Sequence, residues 1–444
     1  MSETNGDAKP FRIAIVGGAI GGLTTALFLD HFCRRPPGED GRPLPPIAID
    51  VYEQASEYKE IGAGVGLGIN AAKLVHRIDG VGAAMNRIQG RTGSSWFTFC
   101  RWDTGGLITH IDSPVSDEDV VRPSSMARSE FLDVLLGFIR QRRVATLHTN
   151  KKFTSVKASA SDLGEGGVEI SFKDGTTAEA DLLIGSDGIH SEVRKQFVTG
   201  KALYSGKIAY RGVVPIDKLP KDTWPGRSWS VIWMARHKHF LVFPISQSRT
   251  LNIVAFISKR EDEIPDLRES WTSTCDRREL EADFGDCEGT VQDIIRLMPE
   301  RPSKWRINDH EPVTRWVFLG GKAVLLGDAC HATTPHQGAG AGQAVEDGYI
   351  LSKALADWLS RGRRGPLEGW MDLYQRIRLP RAQKVVTTSR QAGELYEFES
   401  PDLVDLPYDE AVPIVAERLQ ERLKWLWFED LDAVYDRERE EAGL

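Results

Sequence analysis

The apolar positions of the chain follow three rhythms. Near the N-terminus, Phe11 to Val16 is an unbroken apolar run, as expected of a buried parallel strand, and Gly22 to Phe32 continues as a helix. Ile47 to Tyr52 repeats the strand pattern. Between them, Arg34 to Pro46 is rich in proline and glycine and reads as an irregular surface insertion. In the middle of the chain the rhythm changes to period two. Val168 to Phe172 and Thr176 to Ala180 flank Asp174-Gly175, a hairpin signal, and SWSVIWM, HFLVFPI and LNIVAFI between Ile208 and Ser258 predict an antiparallel sheet suited to walling a pocket. Toward the C-terminus, Phe318 to Leu326 predicts a turn into a buried strand. A helix follows, with Ala344, Gly348, Leu351, Leu355 and Trp358 at helical spacing, and after Pro380 the pattern is helical and charged to Leu444. The α/β elements therefore lie at both ends, interrupted by a β-rich module.

Composition narrows this picture. The chain has 444 residues, 41% of them hydrophobic, enough for two packed domains. The formal net charge is -8 with both signs interspersed, which gives no basic patch for nucleic acid or a membrane surface. The apolar run Ile13 to Leu29 is broken by glycines and threonines, so it is read as strand plus helix and not as a membrane span. Five widely spaced cysteines fit reduced thiols better than a disulfide framework or a metal site. A cytoplasmic protein is the expectation.

Four glycine- and acid-bearing stretches carry candidate chemistry. IVGGAIGG, residues 15–22, lies between strand and helix, as a dinucleotide fingerprint requires. Gly17 would serve the tight turn and Gly22 the close packing of helix on strand. Ala19 occupies the place of the middle glycine, which is tolerable if its φ is negative. Glu53, at the end of the second strand, is placed to accept hydrogen bonds from ribose hydroxyls. The small residues Gly62 to Gly68 would let backbone lie against a flat ring. Asp187, in GSDGIHS, and Asp328, in LGDACH, each end a strand, and the second runs into PHQGAGAGQ ahead of a helix. Backbone N–H groups there can stabilise negative charge on a bound ring.

These motifs, in this order over residues 11 to about 350, resemble the flavin-dependent aromatic hydroxylases of the para-hydroxybenzoate hydroxylase type, and among them the salicylate hydroxylases. YKEIGAGVGLGINAAKLV, AYRGVVP, HATTPHQGAGAGQAVEDG, RLPRAQKVVTTSRQAGELYEFE and ERLKWLWFEDLDAV carry the narrower likeness. The resemblance implies an α/β fold: a Rossmann-like FAD-binding domain (1–85, 121–200 and 312–385) interrupted by a β-sheet substrate domain (86–120 and 201–311), with C-terminal helices from 386 to 444. It implies FAD held by Gly17, Ala19, Gly22, Glu53, Gln54, Ala63, Gly66, Arg128, Asp187, Asp328, Pro335, Gly338, Gly340, Ala341 and Gly342, with NADH or NADPH as co-substrate and no metal.

The implied reaction is hydroxylation of a phenolic acid by NAD(P)H and O₂ through a flavin C4a-hydroperoxide, with salicylate going to catechol and CO₂. Arg211 is the expected anchor for the substrate anion, with Tyr210 and His239 beside it. For a neutral histidine as proton acceptor or hydrogen-bond partner, the candidates are His331 and His336 beside the glycine turn and His237 or His239 on the sheet. His237 and His239 flank a hairpin turn, which argues for solvent exposure, and Trp229, Trp233, Phe240 and Phe243 also suit a plain core. Two alternatives stay open: a same-fold monooxygenase acting on a larger, polyketide-type phenol, and a non-catalytic nucleotide-binding protein. The expected partners are small molecules, in a monomer or homodimer.

Overall fold

The computed structural model describes residues 9–33, 44–58, 64–90, 95–112, 121–159, 166–220, 230–265, 267 and 273–444. Residues 34–43 of the Pro-rich insertion, and Gly62, Ala63 and Trp229, lie outside that set. Two sheets organise the molecule. In the first, Ala323–Leu325, Leu182–Gly185, Phe11–Val16, Ile47–Tyr52 and Thr146–His148 run parallel in that order, and Val317–Phe318 closes one edge antiparallel. The central strands are mostly buried, as apolar runs in a covered sheet require, while the edge strand Thr146–His148 is not.

The helices Ile20–Cys33 and Gly340–Ser360 pack on this sheet and on each other. Their approach is set by a small residue: a Cβ on Gly348 would stand 2.5 Å from Thr25 Oγ1. The hairpin about Asp174-Gly175 forms as expected, within a separate three-stranded antiparallel sheet.

The second large sheet has seven strands, in the order Ser303–His310, Ala202–Pro215, Thr250–Ser258, Lys238–Ile245, Ser230–Ala235, Ser95–Arg101 and Leu107–Asp112. It is antiparallel apart from one junction, where Ser230–Ala235 runs parallel to Ser95–Arg101, a strand contributed by the earlier part of the chain. One face, with Tyr210, Phe240 and Val242, is covered by the helices Arg277–Phe284 and Gly289–Leu297. The other face carries Leu241, Phe243 and Val254 toward a cavity between the two sheets. The C-terminal part is helical, as expected, but its first helix, Leu367–Tyr396, begins well before Pro380 and runs through it. No helix among the described residues is long and apolar enough to cross a membrane.

Candidate active site

The cavity has a volume of about 650 Å³ and extends from the first glycine turn to the face of the seven-stranded sheet. At one end, Gly17 adopts φ 112°, and a Cβ there would stand 2.3 Å from the Ser186 carbonyl oxygen, so turn and neighbouring strand meet backbone to backbone. Ala19 is not among the residues with positive φ and lines the cavity. Gly22 does not line it. It seats the helix instead, since a Cβ would fall 2.0 Å from the Gly17 carbonyl oxygen. Glu53 is fixed by the backbone N–H groups of Gly18 (2.9 Å) and Ala55 (2.8 Å), beside Gln54. Arg128, first residue of the helix Arg128–Arg142, brings positive charge to the same wall. Lys151 and Lys152 join it; no sequence motif marks them.

Further along, Asp187 lines the cavity, but its carboxylate accepts hydrogen bonds from the Ser191 hydroxyl and the N–H groups of Glu192 (2.7 Å) and Val193 (3.1 Å). Burial raises its pKa, against those bonds. Its visible work is to hold the Gly-Ser-Asp-Gly turn. Asp328 has the opposite environment, standing exposed to the cavity between buried Gly327 and Ala329. Pro335, Gly338 (φ 62°), Gly340 and Ala341 line the wall beyond it, with Gly64 to Gly66 nearby. The helix Gly340–Ser360 begins here with no side-chain cap, so its first N–H groups are available to an anion. Gly342 faces elsewhere, packing on Ala71.

At the sheet end, Arg211 lies among Phe243, Phe256, Leu241 and Trp305. Its Nη2 donates to the Gly64 carbonyl (3.2 Å), and its guanidinium sits 5.8 Å from the Trp305 ring. Tyr210, its neighbour on the strand, is not brought to the cavity. Successive residues of a strand face opposite ways. The Tyr210 ring is buried in the far core, and its hydroxyl donates to Asp283 (2.7 Å).

The histidines separate in the same manner. His331 is buried away from the cavity, 2.6 Å from Asp347. Cys330, His331 and Asp347 cluster like metal ligands, but the Asp347 oxygens already accept from Gly327, His331 and Arg378, while burial pushes the Cys330 thiol well up. His239 is only 2% exposed, contrary to the exposure expected beside a turn, and is paired with Glu397 (2.8 Å) behind the cavity wall. His237 is the exposed member of the turn. His336 does line the cavity, and neither of its ring nitrogens has a hydrogen-bond partner. Burial holds it well below its ordinary pKa, so it is neutral.

The wall chemistry suits FAD: an acid at a strand end, cations beside a glycine turn, and an uncapped helix N-terminus where a ring would gain negative charge. Comparison with known proteins agrees. The profile of the FAD binding domain matches residues 111–389. A salicylate hydroxylase of Pseudomonas putida is 31% identical over 448 residues, covering 97% of this chain and 95% of its own. A 6-methylsalicylate 1-monooxygenase of Aspergillus terreus is 32% identical over 437 residues, covering 95% and 90%. A solved salicylate hydroxylase substrate complex superposes with a TM-score of 0.77 at 26% identity, over 97% of this chain and 98% of that one. On fold, cofactor cradle and sequence together, this chain belongs to the FAD-dependent aromatic monooxygenases of the salicylate hydroxylase type.

Proposed function

We propose that the protein hydroxylates a phenolic acid of the salicylate class at the expense of NAD(P)H and O₂, with loss of the carboxylate as CO₂ and a catechol as product. The observation that carries this reading is Arg211, a guanidinium set in an otherwise apolar stretch of cavity wall. Its planar fork pairs with a carboxylate or phenolate oxygen and fixes the ring in one orientation.

FAD would be held by Glu53, Arg128, Asp328 and the backbone of Gly338 to Ala341, and the chemistry it would supply when bound is NAD(P)H-driven activation of O₂ for transfer of one oxygen atom. The chain's own residues do the rest. Phe243, Phe256, Leu241 and Trp305 exclude water and sandwich the ring. His336, neutral and without a partner, is placed to accept a hydrogen bond from the phenolic hydroxyl, which raises the electron density of the ring carbon. The Gly340–Ser360 helix dipole favours negative charge at its N-terminus.

A second reading keeps the site and changes the substrate to a larger phenol of polyketide origin. A relative similar over nearly the whole chain is named for 6-methylsalicylate, whose ring bears a substituent that salicylate lacks, a step toward such substrates. The test is a panel of salicylate, 6-methylsalicylate, larger phenols and benzoate, scored for stimulated NADH and NADPH oxidation by the FAD-loaded protein. Stimulation by salicylates and not by benzoate, which has no phenol, is the expected result. Stimulation only by the larger phenols selects the second reading, and no stimulation by any phenol defeats both.

A further inference from the structure

Between Ala323 and Ala332, Asp328 is the one residue exposed to the cavity, and its carboxylate accepts no hydrogen bond from the described residues. The backbone on either side of it is held at every point. Gly327, in the left-handed region at φ 64°, donates its N–H to Asp347 Oδ2 (2.9 Å), and its carbonyl accepts from the Cys330 N–H (2.9 Å). The Leu325 carbonyl accepts from the Tyr374 hydroxyl (2.9 Å), and the Leu326 N–H donates to the Gly185 carbonyl (2.9 Å). Beyond Asp328, the Ala329 carbonyl accepts from Arg194 Nη1 (2.9 Å). A free carboxylate thus stands on a fixed turn.

Two helices supply the groups that fix it. Asp347 lies in the middle of Gly340–Ser360 and is fully buried, as is Tyr374 on Leu367–Tyr396. Tyr374 and Arg378 are four residues apart, on one face of that helix, and Arg378 Nε donates to Asp347 Oδ1 (2.8 Å). His331 Nε2 lies 2.6 Å from Asp347 Oδ2. Despite burial, His331 and Arg378 hold the Asp347 carboxyl down to about 2, so it is a carboxylate and only accepts. An apolar pair would join the two helices without burying charge. It would not satisfy the Gly327 N–H or the Leu325 carbonyl, which are buried where the chain leaves its strand. Nor could another residue replace Gly327 cheaply, since its φ is positive and a Cβ there would stand 3.2 Å from the Ala344 Cβ.

We infer that Asp347 and Tyr374 are positioning residues for the cofactor: they lock the turn from Leu325 to Ala329 so that the Asp328 carboxylate stands in the cavity, ready to accept a hydrogen bond from a hydroxyl of FAD. This rests on the reading above that Asp328 holds FAD. Neither residue lines the cavity, so both act through Asp328 and the backbone beside it. Arg378 and His331 act one step further back, by holding Asp347. A carboxylate on a loose turn would lose conformational freedom each time FAD bound, and a locked turn removes that cost. The helix Leu367–Tyr396, which adds no strand to either sheet, thereby becomes part of the cofactor site.

The test is a double-mutant cycle on FAD affinity. The full chain is stripped of FAD and titrated back, with quenching of flavin fluorescence giving Kd and thermal denaturation of the FAD-free protein reporting the fold. D328A and D347A are each expected to weaken FAD binding about tenfold or more, and D347N, which keeps an acceptor for the Gly327 N–H, to lose less than D347A. Y374F removes one oxygen and leaves the ring in place, so it is expected to weaken binding about three- to tenfold and reports even where D347A fails to fold. With D328A already present, each of these substitutions is expected to change Kd by less than about twofold, because the carboxylate they position is gone. Loss of affinity by the same factor with and without Asp328 overturns the positioning role, and so does an unchanged Kd in Y374F and the folded Asp347 variants; both leave Asp328 standing as an FAD ligand. Undiminished FAD binding by D328A overturns the part of Asp328 in the cofactor site and the positioning role with it.

Discussion

Arg211 and Tyr210 are neighbours in the chain and are separated by the sheet. Only Arg211 reaches the cavity; Tyr210 is committed to Asp283 on the opposite face. R211A is therefore expected to lower kcat/KM for salicylates by about 10- to 100-fold, mostly through KM, as loss of a charged hydrogen-bonded contact does, with FAD retention unchanged. R211K recovers little, because a point charge does not reproduce the planar fork. Steady-state kinetics with retained flavin absorbance checks both. Of the cofactor-end residues named from the sequence, Gly17, Ala19, Glu53, Arg128, Asp187 and Asp328 line the cavity and Gly22 and Gly342 do not; glycine turns and strand-end acids are local signals, whereas Arg128 was named only through the family resemblance. Lys151, Lys152 and Phe153 were not legible, because they come from a segment without a motif that the fold alone brings alongside Arg128. His239 was misjudged from its place beside a turn. Its burial is decided by Glu397, far along the chain.

At the scale of elements, the first strand, turn and helix were readable to within a residue or two, because apolar runs and a glycine turn are local signals. The parallel pairing of Ser230–Ala235 with Ser95–Arg101 was not, since it joins segments more than a hundred residues apart. The glycines of the turn differ sharply in what they tolerate. Ala19 already carries a Cβ without positive φ, so A19G leaves stability and FAD affinity within about 1 kcal/mol of the unsubstituted protein. G22A drives a methyl into the Gly17 carbonyl, 2.0 Å away, and must push the helix Ile20–Cys33 off its strand. It is expected to cost roughly 1–3 kcal/mol or more, with weaker FAD binding. Thermal denaturation with and without FAD distinguishes the two substitutions, and equal effects would show that the helix seat is not set by Gly22.

Across the whole molecule, the flavin-side helix is tied to the C-terminal helices by a buried ionic network. Arg378 binds Asp347 Oδ1 (2.8 Å) and also Glu346, and Arg381 holds Glu346 (2.7 Å) and the Leu426 carbonyl. R378A removes the guanidinium shared by two buried carboxylates, leaving Glu346 to Arg381 and Asp347 to His331 and the Gly327 N–H, and is expected to destabilise the protein by about 3 kcal/mol. Despite burial, His331 and Arg378 hold the Asp347 carboxyl at about 2, and Glu397 sits at about 2 as well. Carboxylates with a depressed folded pKa add stability that is complete above their unfolded values of about 4 and is lost as the pH falls toward about 2. His239 and His336, kept neutral by burial, act sooner: below about pH 6.5 the unfolded chain takes up protons that the fold refuses. Tm should therefore decline from about pH 6.5 downward and steeply below about pH 4. A Tm flat between about pH 7 and 5 would show that neither histidine is held neutral.

The central claim is that this cavity inserts one oxygen atom into a phenolic acid. The most direct measurement supplies the FAD-loaded protein with NADH or NADPH, salicylate and isotopically labelled dioxygen, and counts products. The account predicts one labelled oxygen in catechol and one CO₂ released per reduced nucleotide oxidised. Nucleotide oxidation that yields only hydrogen peroxide, with salicylate, 6-methylsalicylate and larger phenols all recovered unchanged, would contradict it.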